Sequence, residues 1–349
     1  MLVDCVSCHT PLVLPPGAQS IRCALCNAVT LVNVQPPSAA PTSRSSTPNP
    51  LQYSPQPPNP HGSKKALICG INYKYSRYQL KGCINDAKCM KYMLTTKFGF
   101  PEASVLMLSE EQQNPTMRPT RYNIHMAMVW LVQGCQPGDS LVFHYSGHGS
   151  QQRDYAGEEQ DGYDETICPI DFETQGMIVD NEINDTIVKP LPYGVRLNAI
   201  IDACHSGTVL DLPYVCRFNS YGQFVWEDQR PMNGAWKGTS GGEAFSFSGC
   251  DDSQTSADTS ALSRVTSTGA MTFCFIQAIE RGHAHTYGSL LVSMRNAIRE
   301  AGSTSGMGSG PITSLLEMLV SGGSLTGGLT QEPQLSCATP FDINTPFYL

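Results

Sequence analysis

Residues 196–208, RLNAIIDACHSGT, decide the fold. Leu197, Ala199, Ile200 and Ile201 form an apolar run that ends in small and polar residues. This is the pattern of a buried strand feeding a tight loop. Cys204 stands at the mouth of that strand, where open α/β sheets place their chemistry. Asp202 comes two residues earlier, and on an extended chain positions two apart point to the same side. The stretch 140–150, SLVFHYSGHGS, has the same build: Leu141, Val142 and Phe143 run into a Gly-rich loop holding His148. If the two strands are parallel neighbours, Cys204 and His148 meet at one rim, and a small acyl-transfer site follows.

A cysteine at a strand end is usually just a small buried hydrophobe. Two reactive residue types, each after an apolar strand and each flanked by Gly and Ser, point instead to a nucleophile and its base. His144 and His205 compete for the base's role. His144 lies inside the strand, and His205 adjoins Cys204 and should point away from it, which leaves His148.

Working outward, 65–72 (KALICGIN) reads as a strand and 85–97 as a helix, with Ala87, Met90, Met93 and Leu94 at helical spacing. Residues 105–108 read as a strand, 122–132 as a helix, 243–249 as a strand, 271–281 and 287–301 as helices, and 334–337 as a last strand. Strands alternating with helices predict a mostly parallel α/β sheet covered on both faces. Residues 166–179 look like a β-hairpin at the sheet's edge, and 213–242 read as irregular. The organisation expected is 1–32 a small cysteine-rich module, 33–63 a Pro/Ser-rich linker, 64–215 a large part, 216–242 an irregular connection and 243–349 a small part sharing the large part's sheet.

With 349 residues, 40% of them hydrophobic, the chain can bury a large core. Its net charge of −8 argues against a nucleic-acid partner. No apolar run is long enough to span a membrane. The first ten residues lack the basic start and apolar core of a signal peptide. The 14 cysteines are therefore expected in a reducing compartment. The cytoplasm is the default, with the nucleus open to a protein of this size.

Cys5-x-x-Cys8 and Cys23-x-x-Cys26 form two knuckles of thiolate pairs, the donor set of a tetrahedral structural zinc. A module this small needs such a metal to fold. Paired disulfides or a redox CxxC are the alternatives. The pattern CVSCHTPLVLPPGAQSIRCALCNAVT also resembles the plant zinc finger of the lesion-simulating-disease type, which implies a protein-interaction module with a protein partner.

Taken together, HYSGHGS, DACHSGT, KGCINDAK (81–88) and DGYDE (161–165) make the chain similar to plant type I metacaspases: zinc finger, Pro-rich prodomain, then a caspase-like large and small subunit on one chain. Animal caspases carry Gln-Ala-Cys with a histidine about 50 residues upstream. Here Asp202 replaces that Gln, the departure that separates metacaspases from them. The resemblance implies a caspase–hemoglobinase fold and cysteine endopeptidase activity with the dyad His148 and Cys204. The backbone N–H groups of Gly149 and Cys204 would form the oxyanion site.

The resemblance also places Cys83, Asp86, Ser146 and Asp202 around the pocket for the residue preceding the cut. Two carboxylates in one hollow repel unless a cation sits between them, so the pocket should take Arg or Lys from peptide and protein substrates and reject Asp. From the residues alone, Asp202 could equally cap a turn. Calcium is implied too, with ligands at Asp164, Asp180, Asn181 and Asp211. Asn181 stands where many relatives carry a second Asp, which removes one charge. On composition alone the acidic stretch 158–185 reads as a solvated loop.

An enzyme cutting after basic residues is expected to process itself at Arg217, Arg230 or Lys237, as a zymogen does. In plants the resemblance implies a role in programmed cell death, the hypersensitive response and defence. The alternative is a catalytically idle caspase-like scaffold carrying an interaction finger. The letters GxSxG at 238–242 precede a strand instead of following one, so a serine-hydrolase elbow is excluded.

Overall fold

The computed structural model describes residues 62–159, 162–203, 208–218, 223–231, 233–250, 270–302 and 332–349, with the backbone of four short strands before residue 32. The chain divides into two units, Met1–Pro48 and Asn49–Leu349. In the first, β1 (Leu2–Asp4) pairs antiparallel with β2 (Pro11–Val13), and β3 (Ser20–Arg22) with β4 (Val29–Leu31). In sequence, Cys5 and Cys8 fall between the strands of one pair, and Cys23 and Cys26 between those of the other. All four cysteines lie outside the described residues, as does nearly all of the 33–63 linker.

In the second unit the elements run in order as β5 (Lys64–Gly70), α1 (Cys83–Thr96), β6 (Val105–Ser109), α2 (Arg121–Val132), β7 (Ser140–Ser146), β8 (Gly149–Arg153) and β9 (Tyr163–Ile167). Then come α3 (Phe172–Gln175), β10 (Ile178–Val179), α4 (Asp180–Ile183), β11 (Arg196–Asp202), β12 (Tyr214–Phe218), β13 (Phe224–Asp228) and β14 (Glu243–Cys250). The last are α5 (Ala270–Glu280), α6 (Tyr287–Gly302) and β15 (Glu332–Cys337). One eight-stranded sheet has the order β13-β12-β15-β14-β11-β7-β5-β6. The five strands from β14 to β6 are mutually parallel; β15, β12 and β13 add antiparallel.

The parallel strands are apolar throughout because both faces are covered. Val142 and Ile200 pack under α1, α5 and α6, while their neighbours Phe143 and Ile201 pack under α2. Burying each such side chain is worth about 2 kcal/mol. Gly70 ends β5 where α1 crosses it. A Cβ there would stand 2.6 Å from the Cys83 carbonyl oxygen and 2.7 Å from Ala87 Cβ, so only glycine lets the helix approach. No helix among the described residues is long and apolar enough to cross a membrane.

Two expectations are corrected. The 166–179 hairpin is real in part, since β9 pairs with β10, but both belong with β8 to a separate three-stranded sheet and not to the main sheet's edge. The segment read as irregular from 213 contains β12 and β13. Val215 and Cys216 of β12 are buried against β15, whereas β13 is a charged, mostly exposed edge strand. Tertiary pairing makes these strands, and edge strands of this polarity carry little apolar signal.

His144 is fully buried inside β7, which removes it as a base. Its Nδ1–H donates to the Ile200 carbonyl oxygen at 2.9 Å, and Nε2 has no partner. Burial pushes its pKa down to about 4, the Ile200 carbonyl opposing. The unfolded imidazole takes up a proton near pH 6.5 and the folded one only near 4. Stability conferred by the neutral ring is therefore complete above pH 6.5 and drains away as pH falls toward 4. We expect a loss on the order of 3 kcal/mol across that window from this residue. Urea midpoints at pH 7, 5.5 and 4.5 check it: His144→Gln should flatten the acid slope by about one proton, and an unchanged slope contradicts it.

Candidate active site

The parallel register of β7 and β11 sets Asp202 directly opposite Ser146. The loops leaving the two strands are tied at once, because Gly147 N–H donates to the Asp202 carbonyl oxygen at 3.2 Å. His148 follows Ser146 by two residues and Cys204 follows Asp202 by two. Both loops therefore leave the same rim of the sheet. Cys204 and His205 themselves lie outside the described residues; the chain is described up to the buried Ala203.

His148 is held by three tyrosines. Its backbone N–H donates to the Tyr73 hydroxyl at 3.0 Å, and its carbonyl oxygen lies 2.9 Å from the Tyr145 hydroxyl. Tyr73 in turn donates to the Cys168 carbonyl oxygen at 2.5 Å. Its ring lies 4.8 Å from the imidazole. Ring atom Nε2 lies 2.8 Å from the Tyr78 carbonyl oxygen. A carbonyl can only accept, so Nε2 carries the proton and Nδ1 is the nitrogen with the free lone pair. Burial lowers the imidazole's pKa, and the Tyr78 carbonyl partly opposes this. Glycine is required at 147: a Cβ would sit 2.8 Å from the Tyr145 hydroxyl and 3.1 Å from that of Tyr73.

The described cysteines behave differently from a nucleophile. Eight of them are buried thiols outside any disulfide. Burial pushes the thiols of Cys89 and Cys216 up to about 12, and raises those of Cys69, Cys274 and Cys337 as well. Such thiols are inert at neutral pH.

The residues expected around the pocket, Cys83, Asp86, Ser146 and Asp202, lie at the same rim. Ser146 Oγ donates to Asp86 Oδ2 at 3.0 Å. Cys83 and Asp86 lie in the first turn of α1. Asp202 Oδ2 accepts the Thr272 N–H at 2.7 Å, in the first turn of α5. All four side chains are withdrawn from water. Two buried carboxylates are costly, and here each meets a helix N-terminus, which favours negative charge. The Asp202 contact with the Thr272 N–H is made through one oxygen and leaves the carboxylate's charge in place. Gly149 opens β8, buried, immediately after His148.

The residues assigned to calcium also gather. Asp180 and Asn181 open α4. Asp180 Oδ2 accepts from Glu165 N–H at 2.9 Å. Burial, then the charges of Glu165 and Asp211, push its carboxyl well above the usual carboxylate range. Burial raises Asp211 to about 6, with Lys237 pulling it back. Asp164 is 7% exposed, and its Oδ1 has no hydrogen-bond partner. These are hard oxygen donors of the kind calcium takes. Yet among the described residues no three His, Cys, Asp or Glu side chains are grouped as they would be around a metal ion. Instead the ammonium of Lys237 bonds Asn181 Oδ1, Asp211 Oδ2 and Glu158 Oε2.

Residues 64–213 match the family described as metacaspase, peptidase C14 domain, and residues 5–29 match the LSD1 zinc finger. Metacaspase-1 of Arabidopsis thaliana is 63% identical over 355 aligned residues, covering 100% of this chain and 96% of that one. Metacaspase-2 of the same plant is 48% identical and covers 100% of both. The chain belongs to the metacaspase family. Among solved structures, caspase-1 of Spodoptera frugiperda aligns with 88% of this chain and 95% of its own at 10% identity, with a TM-score of 0.36.

As a metacaspase it is a member of a cysteine peptidase family, of type I by its zinc finger ahead of the peptidase domain. Three residues that organise this metacaspase's site, Tyr145, Tyr73 and Thr272, escaped the sequence, and a fourth, Lys237, was read there only as a self-cleavage position. Tyr145 lies within HYSGHGS, but as a strand residue it reads as core. Tyr73 is 75 residues from its partner His148 and carried no signal. Thr272 and Lys237 act across similar gaps. Of the three expected self-cleavage positions, Arg230 is exposed and paired with Asp228, Arg217 lies within β12 paired with Glu227, and Lys237 is buried.

Proposed function

We propose that this metacaspase is a calcium-dependent cysteine endopeptidase that cuts after Arg or Lys. The observation that supports it most is His148, pinned by tyrosines with Nδ1 available, one loop away from the strand end that carries Cys204. In this reading Nδ1 of His148 takes the Cys204 thiol proton, the resulting thiolate attacks the scissile carbonyl carbon, and the imidazolium passes that proton to the leaving amine as the C–N bond breaks. Water then attacks the thioester, with His148 accepting its proton and Cys204 leaving as thiolate. The N–H groups of Gly149 and Cys204 stabilise the oxyanion. Asp86 and Asp202 attract the substrate's cationic side chain, with Ser146 fixing Asp86.

Calcium held by Asp164, Asp180, Asn181 and Asp211 supplies charge neutralisation in the acid cluster. Zinc on Cys5, Cys8, Cys23 and Cys26 supplies the fold of the finger, which recruits a protein partner. Self-processing, a place in programmed cell death and plant defence, and a cytoplasmic or nuclear setting complete the proposal. Hydrolysis of matched Arg- and Asp-ending reporter peptides, with calcium or with a chelator, tests it. Cleavage after Arg in calcium, abolished by chelation, is expected. Equal cleavage after Asp, or indifference to chelation, contradicts it. The idle-scaffold reading predicts no cleavage under any condition.

A further inference from the structure

Lys237 lies on the segment between β13 and β14, yet its side chain is buried inside the acid cluster. Nζ donates to Glu158 Oε2 at 2.6 Å, and to Asp211 Oδ2 and Asn181 Oδ1. Two of these three partners, Asp211 and Asn181, are residues assigned above to calcium. The backbone is fixed there as well. Asn184 Nδ2, fully buried, donates to the Lys237 carbonyl oxygen at 3.1 Å and to those of Leu210 and Asp211 at 2.9 and 3.1 Å. The chain is thereby clamped so that the ammonium reaches the acids. Asp164 Oδ1 remains a buried acceptor with no partner.

An ammonium satisfies three acceptors, whereas calcium takes six to eight oxygens at about 2.3–2.6 Å. Asp211 and Asn181 cannot serve both cations through the same oxygens, and two cations in one buried cluster repel.

We propose that Lys237 is a tethered counter-ion that fills the cation site of the resting chain, and that calcium binds by evicting it. The proposal rests on the calcium reading above and adds its regulation. The lysine lowers the apparent affinity for calcium by holding the chain in the state that does not bind it. Eviction frees the segment bracketed by Gly234 and Gly241, both in the left-handed region that lets the backbone swing. It also brings to the surface a lysine of the class this enzyme is proposed to cut after. One ion thus orders the acids and presents a cleavable bond.

The test uses the full chain carrying Cys204→Ala, which cannot process itself. Lysine acetylation read by mass spectrometry should leave Lys237 protected without calcium and make it at least about tenfold more reactive at saturation, an ordinary size for coupled sites. By titration calorimetry, adding Lys237→Met should tighten calcium binding about tenfold. Lys237 still protected at saturating calcium, or no tighter binding by the Met variant, overturns the proposal. If the Met variant does not fold, because Asp211 and Glu158 are left unpaired, the footprint alone decides. Calcium binding with a protected Lys237 removes this proposal and spares the calcium reading. No binding by either chain removes both.

Discussion

Chains carrying Cys204→Ala or His148→Ala hydrolyse an Arg-ending reporter at least about 10³-fold more slowly than the unsubstituted chain, and the double variant is no slower than either single one. The non-additivity follows from shared work: a thiolate without a proton carrier, or a carrier without a thiolate, completes neither half of acyl transfer. The effect is confined to chemistry. His148 makes its backbone hydrogen bonds through N–H and carbonyl, which alanine keeps; the ring's contacts with the Tyr78 carbonyl and with the Tyr73 and Tyr78 rings are lost. Melting temperatures within a few degrees of the parent accompany the lost activity. A His148→Ala chain retaining a tenth of the parental kcat/KM contradicts the dyad.

Asp202→Asn gives the second large effect. The amide keeps an oxygen for the Thr272 N–H at the start of α5, so the fold survives while the charge disappears. A guanidinium bound in a buried pocket then lacks its counter-charge, a loss of about 3–5 kcal/mol for buried pairs. We expect kcat/KM for Arg- and Lys-ending peptides to fall about 10²–10³-fold, with a neutral Gln-ending peptide changed less than about tenfold. Asp86→Asn should act in the same direction through its contact with Ser146. If Asp202 is only a helix cap, the amide preserves that contact and all three peptides change alike and little, so comparing them separates the two readings.

The core strands were legible because burial on both faces writes an uninterrupted apolar run, as in β7 and β11. The positions of His148 and Cys204 in the sequence stood out for a related reason: each follows such a run and is spaced identically beyond it. β12 and β13 were not legible. The pairing of β12 with β15 spans more than a hundred residues, and an edge strand such as Phe224–Asp228, paired only with β12, buries too little to show a pattern. Lys237, expected as one of three self-cleavage positions, lies buried, which its sequence does not announce. A charge buried by partners at 158, 181 and 211 has no local signature, since lysines in Gly-rich segments normally face water. The tyrosine clamp on His148 failed to announce itself for the same reason, its hydroxyls acting on backbone far away in sequence.

The most direct measurement is covalent capture. A peptidyl chloromethyl ketone ending in Arg, incubated with the full chain in calcium and followed by peptide mass mapping, should leave one adduct, on Cys204. His148→Ala should suppress the adduct, and an Asp-ending reagent should not form one. An adduct on any other cysteine, or continued peptide hydrolysis after Cys204 is replaced, would contradict the account.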